Sequence, residues 1–140
     1  TLDVRLKKHY ENTKIVINFL RKQKKIKEIL YPYKPSSKSY KLWKKYYSGA
    51  NGLFSIVVKS KKRSSVIKFV NSLELFGIGY SWGGFESLVL LQDLRTNTKY
   101  TQTRRFLRFA KDEHIVRLHI GLEDPKDLII DLKRSLKHIK

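Results

Sequence analysis

The 140-residue chain contains no cysteine and no methionine. Without cysteine it can form neither a disulfide bond nor a thiolate metal site, which fits a reducing compartment. The lack of methionine fits either removal of an initiator residue before Thr1 or a chain that begins inside a longer protein. No apolar run approaches the length of a membrane span, and no signal-peptide pattern opens the sequence. We therefore expect a cytoplasmic protein with no membrane partner.

Acidic residues are scarce. The sequence contains 12 Asp and Glu but 31 Lys and Arg, which gives a formal charge of +19. Clustered basic residues neutralise phosphates and are typical of nucleic-acid binding, to which Arg104, Arg105 and Arg108 would contribute. Most of the excess is lysine, spread over nearly every predicted helix. Lysine is a common solubilising surface residue, whereas specific readout relies more on arginine. We expect a lysine-coated surface rather than a dedicated nucleic-acid face.

The apolar content of 41% and the aromatic content of 12% are those of a folded protein, and 140 residues make one domain. Apolar spacing near 3.6 residues predicts helices, and β-branched runs predict buried strands. The predicted elements are helix Thr1–Lys22, strand Ile26–Tyr31, helix Tyr40–Tyr47, strand Leu53–Val58, a helix capped by Ser64 or Ser65 and stopped at Phe76–Gly77, strand Leu88–Leu91, the aperiodic excursion Gln92–His114, strand Ile115–Ile120, and a helix beginning at Asp124–Pro125. This order predicts an α+β fold, with a mostly antiparallel sheet covered by helices on one face.

The stretch Gly77–Ser87, with the sequence GIGYSWGGFES, stands out by its glycine content. Four of the chain's seven glycines fall within Gly77–Gly84 and surround Trp82. Glycine concentrates where the backbone takes a positive φ or where another group approaches closely. Two interpretations are open from the residues alone: a tight turn with a core tryptophan, or a shaped wall beside a cleft.

Arg117 is the sharpest candidate for binding. Alternation in the strand predicted at Ile115–Ile120 places Val116 and its even-numbered neighbours in the core and aims Arg117 away from it. The planar guanidinium matches a carboxylate or phosphate through two parallel hydrogen bonds, although a solvated arginine on a strand gives the same pattern. No histidine pair has metal-ligand spacing, and GIGYSWGG does not fit a dinucleotide loop. The residues thus supply a candidate anion clamp without a base or nucleophile.

Three blocks of sequence resemble the C-terminal domain of the Cys/Met-metabolism class of pyridoxal-phosphate enzymes. The blocks are TLDVRLKKHYENT at Thr1–Thr13, ANGLFSIVV with FVNSLELFGIGYSWGGFESL between Ala50 and Leu88, and IVRLHIGLEDPKDLIIDL at Ile115–Leu132. They cover most of the chain in the order of the family. Within it, Ser81-Trp82-Gly83-Gly84 and Arg117-Leu118-His119 are similar to the cystathionine β-lyase branch, because sister enzymes tend to have Leu at the Trp82 position and Ser-Val at His119-Ile120.

The resemblance implies a fold like the C-terminal small domain of fold-type I pyridoxal-phosphate enzymes. Thr1–Lys22 would be the linking helix and residues 23–140 an α/β sandwich within a single C-terminal domain. Arg117 would bind the α-carboxylate of the substrate, and Ser81 and Trp82 would line the substrate site. The implied reaction is C–S β-elimination from cystathionine, which yields homocysteine, pyruvate and ammonia and serves methionine biosynthesis.

The resemblance also implies what this chain lacks. The Schiff-base lysine and the groups that hold pyridoxal phosphate lie upstream in the family's large domain, and none of the three blocks matches them. We therefore expect no catalytic, cofactor-binding or metal-binding residue in this chain, and no activity or bound cofactor when it is isolated. The expected partners are the large cofactor-binding domain and further copies in a homotetramer. The chain would then be an excised domain, a proteolytic product or part of a split gene.

Two other functions stay open. A basic nucleic-acid-binding module follows from the charge, and a separate interaction or scaffold domain follows if an exposed apolar face once met a large domain.

Overall fold

The computed structural model describes residues 1–92 and 109–140. The predicted excursion Gln92–His114 lies mostly outside the described residues, and so do the three arginines on which the nucleic-acid alternative rests. Within the described ranges the helices are α1 (Leu2–Leu20), α2 (Tyr40–Tyr46), α3 (Arg63–Asn71) and α4 (Pro125–Ser135), followed by a short 3-10 turn at Leu136–His138. The strands are β1 (Ile26–Leu30), β2 (Leu53–Lys59), β3 (Gly77–Ile78), β4 (Leu88–Gln92) and β5 (Glu113–His119).

The strands form one sheet in the order β1-β2-β5-β4-β3. β5 lies between β2 and β4 and is antiparallel to both, and β1 is antiparallel to β2, whereas the two-residue β3 pairs in parallel with β4. The sheet is therefore mostly antiparallel, which confirms the predicted fold class. Its register places Arg117 of β5 between Ser55 of β2 and Leu90 of β4, in the middle of the three central strands.

The hydrophobic core lies between the helices and one face of the sheet. Strand residues at alternate positions, such as Ile56 and Leu118, meet apolar residues of α1, α3 and α4 there. Fully buried members of this cluster are Val16, Leu20, Ile56, Val58, Val66, Phe69, Val116, Leu118, Ile120, Leu128 and Leu132. Burial of each such side chain contributes about 1.5–3 kcal/mol. The helices of the described ranges thus cover one face, as predicted, and Arg117 of β5 lies on the opposite face.

The ends of α4 and α3 can be compared with the helix ends that the sequence predicts. Asp124 caps α4 as predicted, because its side chain accepts a hydrogen bond from the backbone N–H of Lys126 at 2.8 Å. The prediction for α3 was wrong at both ends. Its N-cap is Lys62, and Ser65 lies within the helix and donates its hydroxyl to the Lys62 carbonyl at 2.7 Å. The helix ends at Asn71, well before Gly77, which begins β3.

Asp131 of α4 holds the segment that follows α3 and keeps the helix from resuming there. Its carboxylate is 4% exposed and accepts the backbone N–H groups of Leu75 at 2.8 Å and Glu74 at 3.0 Å. Arg134 holds the other carboxylate oxygen at 2.6 Å. Because these two amides bond to a side chain, they cannot continue the helical hydrogen-bond series.

Asp131→Asn is expected to lower the free energy of unfolding by about 1–2 kcal/mol, because the amide keeps one acceptor oxygen and loses the charge that strengthens these bonds. Urea denaturation followed by circular dichroism measures the change. Asp127→Asn, which removes an exposed carboxylate from the same helix, should cost about 0.5 kcal/mol. Equal losses in the two variants would show that Asp131 does not hold the segment that follows α3.

No helix in the described ranges combines the length and the apolar character that a bilayer crossing requires.

Candidate functional site

Arg117 and the glycine-rich stretch meet on the face of the sheet opposite the main hydrophobic core. The side chain of Arg117 is half-buried, and its Nη2 donates to the carbonyl oxygens of Gly79 at 3.2 Å, of Tyr80, and of Ser81 at 3.4 Å. The strand alternation aims Arg117 to this side, and the β3–β4 pairing brings the Gly79–Ser81 backbone beside it. Two features 36 residues apart in sequence are thus joined directly.

The guanidinium keeps donors for a ligand. All three of its hydrogen bonds within residues 1–92 and 109–140 come from Nη2, so Nη1 and Nε have no hydrogen-bond partner there. The carbonyl oxygens thus hold Nη2, and the N–H groups of Nη1 and Nε remain for a ligand. An anion such as a carboxylate can accept a charge-assisted hydrogen bond from each of these nitrogens.

Trp82 and its aromatic neighbours form the exposed wall beside Arg117. Trp82 is 59% exposed, Tyr80 81% and Phe85 72%, and the side chain of Ser81 is also exposed. The interpretation of Trp82 as a core tryptophan is therefore wrong. Gly83 takes a φ of +83°, a conformation that residues with a Cβ rarely adopt, and it turns the chain directly after Trp82.

A polar network supports this wall from behind. The Glu123 carboxylate accepts the backbone N–H of Ser87 at 2.6 Å and its hydroxyl at 2.8 Å. Gly121 donates its N–H to the same hydroxyl at 2.9 Å, and Leu122 donates to the Phe85 carbonyl at 2.8 Å. The Phe85–Ser87 segment is thereby fixed to the turn that follows β5.

Helix α1 joins the same network through side chains that the sequence analysis did not single out. Asn12 donates its amide to the carbonyl oxygens of Gly121 at 3.1 Å and Glu123 at 2.9 Å. Nδ1 of His9 lies 2.7 Å from the carbonyl oxygen of Ile120. Both side chains are buried, on the side of the helix that also carries Val16. The sequence signal that could have identified His9 and Asn12 is their position as polar residues within the apolar stripe of the helix.

His119 contacts the wall from the sheet. It is 2% exposed, and its Nε2 lies 3.1 Å from the backbone nitrogen of Gly83 and 3.3 Å from the carbonyl oxygen of Gly84. Its ring centroid lies 5.1 Å from that of His9. Burial lowers the pKa of His119, and the neighbouring His9 lowers it further. The imidazole is therefore neutral at neutral pH.

The described residues do not fit a site that anchors pyridoxal phosphate. A Schiff-base lysine needs a desolvated amine or a cationic neighbour in a defined pocket. No lysine in the two described ranges is buried, and Lys34 alone among them is even half-buried. Nor does the described part of the chain contain a group of three or more His, Asp or Glu placed to hold a metal ion. We assign no step through the cofactor to these residues.

A second concave region lies away from Arg117. It is a cavity of about 390 Å³ beside α2, and its lining includes the aromatic rings of Tyr31, Tyr33, Trp43 and Tyr46. Trp43 contacts Tyr33 edge-on, with ring centroids 4.4 Å apart, and donates its indole N–H to the Gly49 carbonyl at 3.1 Å. The predicted site residues Ser81, Trp82 and Arg117 do not line this cavity.

The sequence profile of a family described as Cys/Met metabolism PLP-dependent enzyme matches residues 1–137. A cystathionine β-lyase from Bordetella avium is 38% identical over 136 residues, which are 97% of this chain and 33% of that protein. An L-alanine/L-glutamate racemase from Wolbachia pipientis wMel is 37% identical over 140 residues, 99% of this chain and 34% of that protein.

The fold has solved relatives as well. A crystal structure of cystathionine γ-synthase from Xanthomonas oryzae pv. oryzae, in complex with aminoacrylate and cysteine, has a TM-score of 0.79 and 25% identity. The similarity covers 97% of this chain and 35% of that one. The chain thus spans about a third of the length of the relatives it matches.

Proposed function

Since the chain belongs to the Cys/Met-metabolism PLP-dependent enzymes, we propose that it is the C-terminal, substrate-carboxylate-binding domain of a cystathionine β-lyase. The observation that carries the proposal is Arg117, whose guanidinium is fixed through Nη2 by the Gly79–Ser81 backbone and keeps Nη1 and Nε for a ligand. The substrate of such an enzyme is an amino acid, so every substrate molecule offers a carboxylate to this group.

Each site residue has a defined task in this proposal. Arg117 binds and orients the α-carboxylate, to which its remaining N–H groups donate charge-assisted hydrogen bonds. Trp82 and Ser81 line the site beside it, and the exposed indole excludes water from the bound substrate. When bound to the complete enzyme, pyridoxal phosphate acts as the electron sink for C–S cleavage.

The choice of β-elimination rests on a few residues. The relatives include a β-lyase, a γ-synthase and a racemase, so family membership alone does not select the reaction. Trp82 in the wall and His119 behind it are the residues by which the chain resembles the β-lyase branch. They are also in contact through the Gly83 backbone, which makes them one structural unit.

The proposed partner is the large cofactor-binding domain of the same enzyme. Exposed apolar side chains gather on the first turns of α1 and on α2, and Leu6, Tyr10 and Tyr47 line a common cleft between these helices. Other exposed members are Leu2, Val4, Leu42 and Tyr46. Folded monomers rarely expose apolar patches of this kind. The relatives are about three times as long as this chain, so the large domain is the proposed occupant, within a homotetramer.

The complete protein that carries this chain, supplied with pyridoxal phosphate and cystathionine, should release pyruvate and homocysteine. Chromatography of the keto acid and the thiol identifies the reaction. Release of cysteine with a four-carbon keto acid would instead assign γ-elimination. Formation of D-alanine from L-alanine, without any keto acid, would assign racemisation, and either result would overturn the β-lyase assignment.

The isolated 140-residue chain should give no pyruvate under the same conditions, because the described residues offer no buried lysine for the cofactor. Turnover by the isolated chain at rates typical of an enzyme would contradict the placement of the cofactor site in another domain.

A further inference from the structure

We propose that His119 is a positioning residue for Trp82 and the adjoining residues Ser81, Gly83 and Gly84 of the exposed wall. The neutral imidazole holds the backbone N–H of Gly83 and thereby fixes Trp82, and protonation transfers the ring's hydrogen bond to Gly84. This inference rests on the proposed function, because it concerns the same substrate wall, but its main test requires neither cofactor nor substrate.

The first step is the geometry around Nε2. This nitrogen lies 3.1 Å from the Gly83 nitrogen and 3.3 Å from the Gly84 oxygen. A backbone N–H requires an acceptor and a carbonyl requires a donor, and one ring nitrogen serves as only one of these in a given protonation state. The two contacts therefore belong to different states. A neutral ring protonated on Nδ1 accepts from Gly83, and an imidazolium donates to Gly84.

His9 selects the tautomer. Its Nδ1 lies 2.7 Å from the Ile120 carbonyl, which only accepts, so this nitrogen carries a proton, and in the neutral ring Nε2 keeps the lone pair. His9 Nε2 and His119 Nδ1 are both buried without a hydrogen-bond partner in the described part of the chain, in rings 5.1 Å apart. With a proton on His119 Nδ1, this atom is a donor and Nε2 of a neutral His9 is an acceptor, so the two atoms are complementary. In the other tautomer both atoms would be acceptors without a donor.

Burial is the main reason that the pKa of His119 is lowered, because it disfavours a positive charge on the ring. His9 on α1 and Arg117 on β5 act in the same direction, and the Gly84 carbonyl and the Glu123 carboxylate oppose them. Leu53 of β2 and Leu88 of β4, which pair with His119 across the sheet, carry no charge. The net effect is a lowered pKa. The neutral, Gly83-holding state is therefore the one present at neutral pH.

Control of Trp82 follows from the position of the hydrogen bond. The N–H that His119 holds belongs to the peptide bond between Trp82 and Gly83, so the bond fixes the plane of that peptide. Gly83 itself has a φ of +83°, which glycine adopts at little cost and which no side chain restrains. Without the bond to His119 this peptide would lack its anchor on the sheet.

The direct test uses the complete chain with Trp43→Phe, which leaves Trp82 as the one tryptophan of the sequence. Its fluorescence should change in one step as the pH falls below about 6.5, the ordinary pKa of histidine. His119→Gln, whose amide oxygen can accept the Gly83 N–H but does not titrate, should abolish the step. His138→Gln, a matched change at a half-buried histidine outside the site, should leave it unchanged. A step that persists in His119→Gln would overturn the proposal.

Nitrogen-15 NMR of the unsubstituted chain provides a test that does not depend on the folding of a variant. At pH 7.5 the proton of His119 should reside on Nδ1, with a hydrogen bond from the Gly83 amide to Nε2. A proton on Nε2 at that pH would overturn the proposal. Both measurements report on the chain alone, so they can succeed when the complete enzyme fails to cleave cystathionine, and the two failures are distinguishable.

Discussion

Replacing Arg117 by alanine in the complete enzyme is expected to lower kcat/KM for cystathionine by about 10²–10⁴-fold. Two charge-assisted hydrogen bonds to the substrate carboxylate contribute about 1.5–3 kcal/mol each, and each 1.4 kcal/mol is a factor of ten. Steady-state kinetics of pyruvate release measures the effect. The fold should survive, because the hydrogen bonds to Tyr80 and Ser81 lie at the exposed surface, where water can replace the guanidinium.

Two further variants test whether the loss is specific to the guanidinium of Arg117. Arg117→Lys keeps the charge and loses the planar fork, so it should recover only part of the loss. Arg21→Ala removes an exposed arginine at the end of α1 and should leave kcat/KM unchanged. If Arg117→Ala behaved like Arg21→Ala, the carboxylate would be bound elsewhere.

Gly121→Ala is expected to reduce the free energy of unfolding by about 3 kcal/mol, at the upper end of the usual cost of overpacking. A Cβ at this position would overlap the Phe85 carbonyl oxygen and the Glu123 carboxylate and would lie 2.7 Å from the main-chain carbon of Glu86. The Phe85 carbonyl cannot withdraw freely, because Leu122 donates to it at 2.8 Å. The corresponding drop in Tm is about 10 °C for a chain of this size.

Gly84→Ala provides the matched control. A Cβ at Gly84 would have no heavy atom within 4 Å, and the residue has no positive φ. The change should therefore stay within about 0.5 kcal/mol. Comparable thermal unfolding of the two alanine variants would mean that the Phe85–Ser87 segment is not packed against the turn after β5.

The features that the sequence predicted correctly are local ones. The two-residue alternation of β5 placed Arg117 opposite the core, because side-chain direction in a strand depends on position alone. Asp124 followed by proline predicted the start of α4, because the capping residue and the first helical residue are neighbours in the sequence. The family resemblance supplied the roles of Ser81, Trp82 and Arg117, and these roles stay predictions until the variants are measured.

The features that the sequence did not reveal depend on partners far along the chain. The segment after α3 is held by Asp131, some 56 residues beyond Leu75. The exposure of Trp82 follows from the pairing of β3 at the sheet edge, which glycine spacing does not predict. The contact of His9 with Ile120 spans 111 residues, so no local pattern could indicate that two scattered histidines meet.

The buried polar contacts of α1 determine how that helix can be assembled onto the sheet. An apolar stripe alone would tolerate a slide of one helical turn, about 5.4 Å, since similar side chains would come into contact again. His9 and Asn12 do not allow it, because a shifted helix would leave the carbonyl oxygens of Ile120, Gly121 and Glu123 without their donors. Each stranded polar group costs about 1–3 kcal/mol. The helix can therefore pack on the sheet in only one register. A domain attached to its first turn would be held at a fixed distance from Arg117 and in a fixed orientation relative to it.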